Sequence, residues 1–71
     1  IRYDHTGIVS DVDDSEKGYT FHLHDAHGND IRCFSYERPV ELGYYAVSGE
    51  LSDDGNIFFV SVLRNLDVDP F

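Results

Sequence analysis

The sequence predicts an all-β fold, a small five-stranded barrel with little or no helix, and three observations predict it. Apolar and polar residues alternate in short runs, most clearly in Tyr19-Thr20-Phe21-His22-Leu23-His24, and a period of two marks a half-buried strand. Turn clusters separate the runs, notably His27-Gly28-Asn29-Asp30 and Ser52-Asp53-Asp54-Gly55. Glycine and asparagine there tolerate the left-handed backbone that hairpins require. No apolar repeat of helical period is long enough for a substantial helix. Short strands joined by such turns close into a barrel because closure removes the exposed edges of a flat sheet.

The elements follow in chain order. Tyr3 to Val12 reads as a first strand interrupted by Gly7, and Asp11 to Gly18 as a polar loop. Tyr19 to Asp25 is a second strand, and the cluster at 27–30 turns it into a third, Ile31 to Tyr36. Residues 37–43 connect onward. Pro39 and Gly43 there suit the first position and the stop of a single helical turn. Tyr44 to Leu51 is a fourth strand, the Asp-Asp-Gly hairpin reverses the chain, and Asn56 to Leu63 is a fifth. Arg64 to Phe71 reads as a tail. The 71 residues make one domain, with its core at about 5–66. A chain this short buries only about 60% of the surface it exposes when unfolded, so the core is thin.

Charge narrows the function. Fourteen acids face five bases, for a net charge of −9, which counts against a strong electrostatic grip on phosphates. The same acid-rich, lysine-poor balance suits a high-salt cytoplasm, where screening removes self-repulsion. Cys33 is the single cysteine, so no internal disulfide forms and a reduced, cytoplasmic setting is expected. No apolar run approaches the roughly 18 residues of a membrane span, and no secretory signal is visible. The chain begins at Ile1 rather than Met, which suggests a segment of a larger protein.

Several short motifs occur in a telling order. Gly7-Ile8-Val9 is followed by Phe21-His22-Leu23-His24-Asp25-Ala26-His27-Gly28, then Ile31-Arg32-Cys33. Leu42-Gly43, Val47-Ser48-Gly49 and Gly55-Asn56-Ile57-Phe58-Phe59-Val60 complete the series. This order resembles the OB-fold domains of single-strand binding proteins and tRNA anticodon-binding modules. They share Gly-x-Val, Phe-x-Leu-x-Asp-x-x-Gly, Leu-x-Gly (here without its spacer) and Val-x-Gly. The resemblance implies a five-stranded Greek-key barrel that binds ligands on strands two and three and at the 1–2 and 4–5 loops.

Parity then defines the faces. With Phe21, Leu23 and Ile31 inward, strand two displays Thr20, His22 and His24, and strand three displays Arg32, Phe34 and Tyr36. Rings on which bases stack and a cation to meet the backbone are what single-strand recognition needs. His22, His24, Arg32, Phe34 and Tyr36 are therefore the candidate binding residues, with Lys17 as the base of the 1–2 loop. Against this stand packing of Phe34 and Tyr36 under the 37–43 connection or a partner domain, and a reversed register in strand three. The reversed register would bury Arg32 in a core too small to satisfy it. The loops are acidic (Asp11, Asp13, Asp14 and Glu16; Asp53 and Asp54) and repel phosphates at low salt. Binding then rests on stacking, or the partner is a basic protein. Both faces of Ile57-Phe58-Phe59-Val60 are apolar, so its interior side is left open.

Other motifs are set aside. His22-x-His24-x-x-His27 is similar in spacing to the metal motif of metallo-β-lactamase-type hydrolases. Its aspartate, Asp25, comes one position early, Ala26 stands where it belongs, and those enzymes need a larger scaffold. A zinc on His22, His24 and one further group suits the shared face, yet no fourth ligand is evident. Asp11-x-Asp13-Asp14 lacks the glycine and glutamate of an EF-hand loop and reads as solvated. Asp25 reads as the cap of its turn and Cys33 as a small core residue.

The expectation is thus a non-catalytic module that binds single-stranded DNA or RNA, within a larger replication, repair or RNA-processing protein. It needs no cofactor, no metal and no membrane. The alternative is an acidic OB domain for protein–protein or interdomain contact, meeting a basic partner or another domain of the same chain.

Overall fold

In the computed structural model, which describes residues 3–67, five strands close into a barrel. They are β1 (His5–Asp14), β2 (Tyr19–His24), β3 (Asp30–Ser35), β4 (Tyr44–Leu51) and β5 (Phe58–Asn65). The order around the wall is β1-β2-β3-β5-β4, and β1 pairs with β4 to close it. All pairs are antiparallel except β3 with β5. The described residues contain no helix, and the arrangement is consistent with an OB-like barrel. None of them forms a helix long and apolar enough to cross a membrane.

β1 has a neighbour on each side. It pairs with β4 through His5 to Ile8 and with β2 from Ile8 to Asp14. Gly7 does not interrupt it. A Cβ there would collide with the backbone of His24, so glycine is what lets β1 pass against the end of β2. Farther on, Ser10 faces His22 but Asp13 faces Thr20, so β1 carries one extra residue. Asp11 absorbs it with a φ of 54°, a left-handed conformation that short polar side chains tolerate. The strand therefore continues through Asp14, into what its acidic composition suggests is loop.

The inward residues meet in one cluster of Val9, Phe21, Leu23, Cys33, Tyr45, Val47, Phe58 and Val60, with Val12, Ile31 and Leu63 at its margin. Phe21, Leu23, Val9 and Val47 are fully buried. Each such side chain contributes about 1.5–3 kcal/mol of burial. Among the described residues Ser35 is the one buried polar residue, and its hydroxyl donates to the Glu37 carbonyl.

The helical turn expected at 38–43 does not form. The polar groups of this segment are engaged elsewhere: Leu42 N donates to Val9 O (2.7 Å) and Val9 N to Gly43 O (2.9 Å). Val40 N donates to the Tyr45 hydroxyl (2.9 Å). Gly43 N closes a β-turn onto Val40 O, which puts the exposed Leu42 at a φ of 66°. The connection runs as an irregular strap along β1. Other boundaries shift by a residue or two: β3 is Asp30–Ser35, so Tyr36 lies just past it, and β5 extends through Arg64 and Asn65. Of the expected tail, 68–71 lie outside the described residues. Asp67 holds the end of β5 in place, its carboxylate accepting from Tyr44 N at 2.8 Å.

Candidate nucleic-acid interface

The β2–β3 register sets the site. Phe21 faces Cys33 on the inside, so Thr20 faces Phe34, His22 faces Arg32 and His24 faces Asp30 on the outside. The inward parity expected for Phe21, Leu23 and Ile31 places Cys33 inside as well, and both Phe21 and Cys33 are fully buried. Arg32 is exposed and pairs with no acid among the described residues. His22 Nδ1 lies 2.9 Å from Asp30 Oδ1 and His24 Nε2 lies 2.7 Å from Ser10 Oγ. Both rings are thus held in position rather than swinging free.

The aromatic part is larger than the sequence suggests. Phe34 meets Tyr36 edge-to-face at 5.5 Å and Phe59 at 6.2 Å. The tip of its ring lies over Gly18, where an added Cβ would come within 2.9 Å of it. Phe34 is accordingly half-buried, whereas Tyr36 is 77% exposed and Phe59 47%. Phe34 packs against Phe59 of β5, Tyr36 and Gly18. Phe59 escapes sequence reasoning because its neighbours Ile57, Phe58 and Val60 give no alternation. Pairing of Phe59 with Phe34 and with Glu50 turns it outward.

Lys17 sits in the 1–2 loop, which Ser15 closes by donating its N–H to Gly18 O at 2.8 Å. It lines a cleft of about 370 Å³ together with Asp14, Tyr19 and Tyr36, and so joins the Tyr36 end of the face. Arg38 lies at this end as well. Its guanidinium reaches Asp14 Oδ1 at 3.3 Å and lies 5.9 Å from the Tyr19 ring centre. Only the path of the strap brings it near, so no local signal marks it. At the other end, Arg32, Asp30, Asn56 and Leu51 line a cleft of about 300 Å³ beside the 4–5 hairpin.

Asp25, Asp54 and Cys33 serve the fold rather than this face. Asp25 accepts from the Asn29 side chain (3.0 Å) and from the N–H groups of Asn29 and His27 (2.9 Å each). The Asn29 bonds foremost, then His27, hold its carboxyl below the usual carboxylate range. His27 is thereby a turn residue, away from His22 and His24. The Ser52 hydroxyl and Asn56 N–H do the same for Asp54 in the 4–5 turn. Burial, with the Asp30 carboxylate second, pushes the Cys33 thiol up to about 12, so little of it is thiolate near neutral pH. Among the described residues no three His, Cys, Asp or Glu side chains gather around a common point for a metal.

What the face offers chemically is a set of flat rings, two positioned imidazoles and a guanidinium unpaired among the described residues, with acids at its margins. Comparison with protein-family models, curated proteins and solved structures gave no match.

Proposed function

We propose that this barrel binds single-stranded nucleic acid on the outer face of β2 and β3 by base stacking, and performs no chemistry on it. One observation carries the reading: the exposed Tyr36 ring continues into Phe34 and Phe59 on the same face as the unpaired Arg32. Stacking is worth about 1–3 kcal/mol per base and accepts any base, so DNA and RNA both fit. Tyr36 and Phe59 supply the platforms, Arg32 and Lys17 meet phosphates, and His22 and His24 flank the path. The role fits a module of a larger replication, repair or RNA-processing protein in the cytoplasm, where a single free thiol stays reduced.

The charge balance shapes how such binding behaves. With only Arg32 and Lys17 as phosphate contacts, the slope of log affinity against log salt is about −1.4 for a single strand. Binding of this kind is weak but salt-tolerant. Titrating labelled single-stranded oligonucleotides at low and high salt, with NMR shift mapping, tests it. Shifts at His22, His24, Arg32, Phe34 and Tyr36 with a shallow salt slope are expected. No binding at high micromolar oligonucleotide sinks the proposal and leaves contact with a basic protein as the better reading.

A further inference from the structure

The wall of the barrel has a gap. β3 and β5 pair at only two positions, Cys33 with Phe58 and Phe34 with Phe59. β3 stops at Ser35, while β5 runs on to Asn65. From Val60 onward, β5 has ladder partners only on its β4 side among the described residues, and Ser61, the extra residue of a bulge between Val60 and Val62, has none on either side. An unpaired strand edge is a template for another strand.

The space beside this edge is shaped to receive one. A groove of about 350 Å³ opens between Ser35–Glu37 and Val60–Leu63. A wider one, about 860 Å³, shares Tyr36, Val60 and Ser61 with it and reaches Glu50 and Asp4. Val62, 48% exposed, lines the narrower groove, and Phe59, 47% exposed, lines the wider one. The charged groups lining the two grooves are all acids: Asp4, Glu37 and Glu50.

That rim selects the occupant. Phosphates are repelled from it. A second copy, also carrying −9, would set the same acids against each other, and like-charge juxtaposition at an interface costs several kcal/mol. An extended peptide with alternating apolar and basic residues meets both features. Its backbone pairs with the free edge, one side-chain row packs on Val62 and Tyr36, and the cations reach Glu37 and Glu50. We propose that the β5 edge takes up such a segment from a basic partner as an added strand. This surface shares Tyr36 and Phe59 with the stacking face but not its His22–Arg32 part. Peptide and oligonucleotide therefore compete for those two rings, while peptide binding itself does not depend on nucleic-acid binding.

The test uses the whole chain without oligonucleotide, titrated with a capped peptide alternating valine and lysine. Expected are shifts and slowed amide exchange at Val60–Leu63 and at 35–37, absent when the lysines become glutamates or alternate peptide nitrogens are methylated. Because Glu37 and Glu50 are exposed, the double variant Glu37→Lys, Glu50→Lys keeps the fold and binds the peptide about tenfold more weakly. An affinity unchanged by that double substitution, or indifferent to N-methylation, overturns the proposal. So do shifts confined to the β2–β3 face, or the same amide protection arising in the free protein by self-association.

Discussion

Replacing Tyr36 with alanine separates binding from folding. The ring is 77% exposed, so little apolar burial is lost, and the structural cost is its edge-to-face pair with Phe34 at 5.5 Å. Such pairs are worth about 0.5–1.5 kcal/mol. A 71-residue domain has about 4–11 kcal/mol of stability in total, so the variant stays folded. If bases stack on Tyr36, the same change removes about 1–3 kcal/mol of binding, a rise in Kd of about 5- to 150-fold. Tyr36→Phe keeps the ring and should bind within about twofold of the parent. Fluorescence anisotropy with a labelled oligothymidine, alongside thermal melting by circular dichroism, measures both quantities. A folded Tyr36→Ala protein that binds like the parent refutes stacking at this position. An equal loss in Tyr36→Phe refutes it too, because the hydroxyl and not the ring would be responsible.

Further outcomes follow from the strap, the core and the charge. Leu42→Gly should leave the fold as stable or stabilise it by up to about 1.5 kcal/mol in urea denaturation. Relief of a left-handed leucine gives about 1–2 kcal/mol, and glycine's extra backbone entropy takes back about 0.5–1. A destabilised variant would mean that the exposed leucine side chain contributes more than its backbone costs. The raised Cys33 pKa makes the folded state retain a proton that the unfolded state releases. That stability is whole well below pH 9 and is lost as pH rises toward about 12. At pH 10 the parent should lose about 1.4 kcal/mol relative to its neutral value, a loss that Cys33→Ala, compared at the same two pH values, does not show. Equal losses in both proteins would sink the assignment. Finally, raising salt from about 0.01 M to about 1 M shortens the screening length from about 30 Å to about 3 Å. The molecule measures 39 × 25 × 22 Å, so at low salt the screening length is comparable to the molecule and its acids repel one another across most of it. The melting temperature should climb with salt, and a flat profile would show that the net charge is not a burden.

Much of the β2–β3 face is legible in the sequence because its signals are local. Phe21, Leu23 and Cys33 alternate with His22 and Arg32 on a strict period of two, and a single turn, held by the carboxylate of Asp25, joins the two strands in register. Lys17 and Tyr36 come together less directly, through the loop that Ser15 closes. Phe59 and Arg38 were not legible. The apolar run 57–60 has no alternation to read, and Arg38 reaches Asp14 only because the strap folds along β1.

By itself, then, the sequence determined an all-β chain, its turns, and which side chains of strands two and three face outward, because alternation and turn chemistry act over a few residues. The tertiary structure decided the rest. It set the outward turn of Phe59, the replacement of a helical turn by a strap held to Val9 and Tyr45, and the extra residue in β1 at Asp11. It also decided that β3 ends before β5, leaving an acid-rimmed edge. Each of these depends on which distant backbone groups pair with one another, and that is settled only when the barrel closes.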